Sequence, residues 1–155
     1  MSDKLITEEF LDTYEGDVMF LSQDLENIRK DILNCNFSEE KKNFLSDNIT
    51  EVHDVFLSSR YTQQVAPTFM EFTDLLSTIN TDELVKNKDT MSYLYDIVSD
   101  INVYINQYFI SRIFSDVYLF QDSLYNSINF LKSAYLLDVD STDADDGSEV
   151  LFFND

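Results

Sequence analysis

Apolar side chains recur along this chain at intervals of three and four. Phe10, Tyr14, Val18, Leu21, Leu25, Ile28 and Ile32 fall on one stripe, which predicts a helix over residues 5–33. Thr7 followed by Glu8 and Glu9 is a start signal: a hydroxyl that can cap free N–H groups, then acids near the positive end of the helix dipole. Gly16 costs about 1 kcal/mol relative to Ala and does not end the stripe. Asn34-Cys35-Asn36 does. Ser38 with Glu39 and Glu40 opens a second helix, expected to run to about residue 64, whose stripe is Leu45, Ile49, Val52 and Phe56. Ala66-Pro67 is the expected break, because the residue before a proline is pushed out of helical geometry. Phe69, Phe72, Leu76 and Ile79 mark a third helix, and Asn80-Thr81-Asp82-Glu83 is another cap signature.

Between Leu84 and Leu137 there is neither Gly nor Pro. Leu94, Val98, Ile101, Ile105 and Tyr108 form one stripe. Ile113, Val117, Phe120, Leu124, Ile128 and Leu131 continue it, with a bend expected near Ser111-Arg112. Many of these residues are β-branched, yet no alternation of period two competes with the helical pattern. Amphipathic helices of this kind bury their stripes against one another. The expected fold is all-α, an antiparallel bundle of four to five helices over residues 1–137. The same pattern also fits a long helical hairpin folded at Pro67, which would form a homodimer to cover its stripe.

Composition narrows the functional classes. Two glycines and one proline leave too few turn residues for an all-β fold or a glycine-cradled phosphate site. One His and one Cys exclude a structural zinc site and a disulfide framework. Thirty acids against ten bases give a net charge of −20, the wrong sign for direct nucleic-acid binding and repulsive toward anionic membranes. The first residues lack a basic region followed by an apolar stretch, and no apolar run reaches bilayer length. With a lone Cys35, a reduced, cytoplasmic protein is expected. Its partner is then a protein, acidic or carrying a basic patch.

After Leu137 the composition changes. Residues 138–155 carry seven acids and no base, which leaves −13 on the body. Asp138–Gly147 has too little apolar surface to order itself, so a flexible acidic linker is expected. Val150, Leu151, Phe152 and Phe153 follow it. An acidic linker leading to an apolar cluster reads as a docking peptide, because exposed Leu-Phe-Phe is costly without a partner.

Three constellations carry candidate chemistry. His53 lies beside the Val52/Phe56 stripe, and histidine phosphotransfer domains are helical bundles with one exposed His. No Gly follows it here, and Asp54 would repel a phosphoryl group, so a half-exposed helical His is the plainer reading. Glu-x-x-His pairs of the kind that hold two metals in a bundle are absent, so the acids read as solvated faces. The segment from Asp116 to Asn126 is richer. Val117, Phe120 and Leu124 are expected to face the core. Asp122 and Asn126, four apart, share a face outside that stripe, with Tyr118 and Leu119 one turn earlier.

Asp116, Phe120, Gln121 and Asp122 resemble the signature helix of the CheZ family, phosphatases of the chemotaxis response regulator CheY. Asn126 stands where that family has Gln. The acidic linker and the apolar cluster at Val150–Phe153 also resemble the family's flexible linker and its C-terminal peptide that docks on the regulator. The resemblance covers roughly residues 113–155. It implies a receiver protein as partner, Asp122 anchoring the complex, and Asn126 orienting water. No cofactor would be bound by this chain itself, the Mg²⁺ belonging to the receiver. Two other classes stand beside it. One is a phage-type DNA mimic, an acidic inhibitor that fills a nucleic-acid channel. The other is a phosphotransfer-like domain that docks receivers through the region of His53.

Overall fold

The computed structural model describes residues 8–60, 62–113 and 117–147, with the backbone alone for 117, 118 and 138–147. Six α-helices and no strand occur among the described residues. Helix α1, Glu8–Leu33, ends where Cys35 takes a left-handed conformation at φ 56°. There the Asn36 N–H donates back to the Asp31 carbonyl at 2.8 Å. Helix α2, Glu39–Leu57, begins as its sequence predicts, with Ser38 Oγ accepting from the Lys41 N–H at 3.3 Å.

Helix α2 ends earlier than its periodicity predicts. The Thr62 hydroxyl is buried and donates to the Phe56 carbonyl, satisfying a group left open at the helix end. A 3₁₀ turn, Gln63–Val65, then leads into α3, Ala66–Thr78. Pro67 therefore does not break a helix. It stands in the first turn of α3, where an N–H would have no intrahelical partner to lose. Asn80 Oδ1 accepts from the Glu83 N–H at 3.1 Å and caps the short α4, Thr81–Leu84. This one-turn helix is the member beyond the expected four to five.

Asn87 caps α5, Lys88–Ile105, through the N–H groups of Asp89 and Thr90. Helix α5 runs into a π-helical turn, Asn106–Ser111, which Arg112 terminates at φ 56°. The bend expected near Ser111-Arg112 is this feature. Helix α6, Val117–Gly147, follows.

The helices close a ring in the order α1, α2, α3, α6, α5. Pairings along the helices give their directions. Asp31 meets Lys41 while Tyr14 meets Ser58, so α1 and α2 are antiparallel. Arg29 meets Tyr95 while Arg112 meets Asp12, so α1 and α5 are too. Phe69 packs on Phe120 and Asn80 on Tyr135, which makes α3 and α6 parallel. Five helices in a closed ring cannot all alternate, and α3/α6 is the pair that breaks the alternation. The predicted stripes of α2, α3 and α5 are buried throughout. In α1, Leu11 takes the buried place at the first turn, and Phe10 and Tyr14 pack half-buried beside it. Ile113 is 62 % exposed rather than part of the core.

The core centres on Phe56 of α2. Its ring lies 5.1 Å from Phe69 of α3, 6.1 Å from Tyr104 of α5, and 5.8 Å from Phe109 of the π turn. A polar clamp fixes one end of the bundle. Buried Lys42 donates to the Ile79 carbonyl at 2.7 Å and pairs with Glu39 at 2.9 Å. Glu39 in turn accepts from the N–H and hydroxyl of Thr81. These bonds, the one to Lys42 first, hold the Glu39 carboxyl below its ordinary range.

Two stability tests follow from this packing. Phe56→Ala is expected to cost about 3–5 kcal/mol in urea unfolding, whereas Phe20→Ala should stay within about 0.5 kcal/mol; Phe20 is 77 % exposed. Gly16 is exposed within α1, and a Cβ there would meet nothing within 4 Å. Gly16→Ala should therefore raise stability by about 0.5–1 kcal/mol in the same assay.

Candidate functional site

Helix α6 is pinned at two heights, and the pins fix which residues it presents outward. Near its start Phe120 stacks face to face on Tyr104 of α5, with centroids 3.7 Å apart and planes 3° from parallel. Further along, the Tyr135 hydroxyl accepts from the Asn80 N–H at 2.9 Å. Leu124, Ile128, Leu131 and Tyr135 are buried between the pins. Phe120 thus serves the core, as expected, and the rest of its motif takes its orientation from that anchor.

Asp122 and Asn126 are both exposed, one turn apart on α6. Leu119, one turn before Asp122, is 68 % exposed. At about 100° per residue, Leu119 and Asn126 point nearly the same way. Ser123 turns about 40° toward α5, and Asp122 about 60° away from it. The structure therefore brings Asp122, Asn126 and Leu119 to one outward surface. Asp116, Val150, Leu151, Phe152 and Phe153 lie outside the described residues, as do the side chains of Val117 and Tyr118. The backbone of α6 continues through residues 138–147.

Beside this surface, α5 and α6 leave an open cavity of about 350 Å³. Asp100 and Val103 line it from α5, Gln107 from the π turn, and Leu119 and Ser123 from α6. Loss of water, and then the neighbouring Asp96 carboxylate, push the Asp100 carboxyl above its ordinary range. His53 is elsewhere. It sits half-buried on α2, which is not a ring neighbour of α6, and its Nδ1 is 2.9 Å from Asp54 Oδ1.

Several features of this surface were not read from the sequence. Phe130 and Leu137 are 65 % and 66 % exposed, and Val103 is 55 % exposed. Leu119, Asn126, Phe130 and Leu137 are spaced by seven, four and seven, so a second, outward stripe is visible once the core stripe is subtracted. Tracing it would have found Phe130. The Asp96/Asp100 pair is four apart on α5 and could have been read the same way, whereas the cavity depends on how α5 meets α6.

No protein-family model, no curated protein and no solved structure matches this chain. Among the described residues, no helix is long and apolar enough to cross a membrane, and no three His, Cys, Asp or Glu side chains group as metal ligands. Fold and surface together define an acidic, all-α bundle that presents a carboxylate and a carboxamide from one helix.

The Asp100 shift has a testable sign. Its folded carboxyl lies above the unfolded value, so ionised Asp100 opposes folding near neutral pH. That penalty fades as pH falls through the raised folded value and vanishes below the ordinary aspartate range. Asp100→Asn is therefore expected to unfold at higher urea than wild type near neutral pH. The two midpoints should converge in acid.

Proposed function

We propose that the chain binds a phosphorylated receiver protein through the outward face of α6 and promotes hydrolysis of its aspartyl phosphate. The observation that supports this reading is the joint exposure of Asp122 and Asn126, one turn apart on a face the core does not use. A receiver's own Mg²⁺ and Lys neutralise the phosphoryl oxygens, so the missing ingredient is a positioned water. A carboxamide both accepts from and donates to such a water and holds it in line with the leaving carboxylate. The water oxygen bonds to phosphorus as the bond from phosphorus to the aspartate oxygen breaks. Phosphate leaves carrying the water's protons, and the receiver carboxylate is regenerated. Asp122 would pair with the receiver's Lys and fix the approach. Asn126 is one methylene shorter than the Gln of the CheZ-like pattern, which requires a closer approach of α6.

A second reading is an acidic inhibitor that occupies a basic, nucleic-acid-binding channel. The net charge of −20 favours it. Such binding should collapse with added salt, whereas docking through apolar side chains should be less affected.

The decisive measurement is loss of phosphate from a phosphorylated receiver with Mg²⁺ present. Asn126→Ala should slow the accelerated hydrolysis by about 10²-fold with binding largely kept, because positioning a water acts in the transition state. Asp122→Ala should weaken both binding and rate. Asn126→Gln should keep or raise activity. Equal decay with and without the protein, at concentrations where binding is measured, would remove the hydrolytic role.

A further inference from the structure

The outward side of the α5/α6 pair carries two apolar patches. At one end Val103 and Leu119, 55 % and 68 % exposed, flank the cavity. At the other, Tyr93 and Phe130 stack with centroids 6.4 Å apart and are 40 % and 65 % exposed. The patches lie roughly 15–17 Å apart along the helices at a rise of 1.5 Å per residue, which is about three helical turns. Between them α5 presents Asp96 and Asp100, both exposed. Neither forms an ion pair with a described residue.

We infer that this groove docks one amphipathic helix of a partner protein, its apolar side chains filling the two patches and its Lys or Arg side chains meeting Asp96 and Asp100. The inference rests on the α6 face being the contact surface, as proposed above, and adds the partner element that surface takes. Apolar anchors at i and i+11 of a helix span about 16.5 Å, the separation of the patches. Two carboxylates without cations in mid-groove supply the charge complement.

The other occupants fit less well. Leu151–Phe153 lie at most six residues past Gly147, a reach of about 21 Å fully extended. Phe130 lies about 25 Å back along α6 from Gly147, and Leu119 about 42 Å. The chain's own apolar cluster therefore cannot reach Leu119 and so cannot fill both patches. A second copy would set −20 against −20 and press uncompensated carboxylates toward like charge.

The test uses the full chain and a synthetic amphipathic peptide of about eighteen residues, with Leu at i, i+4, i+7 and i+11 and Lys between. Calorimetric titration should show saturable binding of one peptide per chain. Val103→Ser and Leu119→Ser should each weaken it about tenfold. Paired Asp96→Asn and Asp100→Asn should weaken it similarly and flatten its salt dependence. Asp17→Asn and Asp47→Asn, exposed carboxylates on α1 and α2, should change it less than about twofold.

Equal weakening by the α1 and α2 variants would reduce the binding to general charge attraction and overturn the inference. So would self-association of the chain that Leu119→Ser abolishes, since a second copy would then own the groove. Peptide binding without any phosphatase activity removes the hydrolytic reading and leaves the docking groove standing. Phosphatase activity that neither the peptide nor Val103→Ser impairs overturns the groove and leaves the hydrolytic reading standing.

Discussion

The contact of Phe56 with rings from three other parts of the chain holds this bundle together. Phe69 brings in α3, Tyr104 brings in α5, and Phe109 brings in the π turn. Helix α6 joins this cluster through Phe120, whose ring packs on both Phe69 and Tyr104. Because interiors are close-packed, a small displacement of Phe56 is felt by every helix that touches it. The outward face of α6 inherits its direction from this chain of rings. The surface proposed to meet a partner is thus oriented by a buried aromatic on a different helix.

Much of the architecture was legible in the sequence because helical periodicity reports burial directly. Leu45, Ile49, Val52 and Phe56 are all buried, as are Phe69, Phe72, Leu76 and Ile79. Ser38 and Asn80 cap as their types require. Pro67 was misread because the rule for the residue before proline and the preference for proline in a first turn compete. Thr62, buried against the Phe56 carbonyl, closes the end of α2 well before Pro67, and a threonine between two stripes carries no local mark of that role. The exposed pair Asp122 and Asn126 was readable because i, i+4 spacing defines a face. Lys42 was not, since its partner is the Ile79 carbonyl, thirty-seven residues away.

Charge and apolar surface divide the molecule's exterior. A net charge of −20 opposes the close approach of two copies, while the outer side of α5 and α6 carries exposed Val103, Leu119 and Phe130. In the proposed docking, the same charge would speed the encounter with a basic surface, and the apolar side chains would set how long it lasts.

The parallel α3/α6 pair has a consequence for how the protein is made. Without α6, the chain from α1 to α5 is a simple alternation of up and down helices. Helix α6 is inserted into that series between α3 and α5, yet it follows the other five described helices in the chain and leaves the ribosome after them. While it is still inside the exit tunnel, the inner sides of α3 and α5 face one another with nothing between them. A nascent chain that closed this gap prematurely would place Phe69 directly against Tyr104 and occupy the seat of Phe120. Reaching the native state would then require that early contact to reopen before Phe120 could be seated.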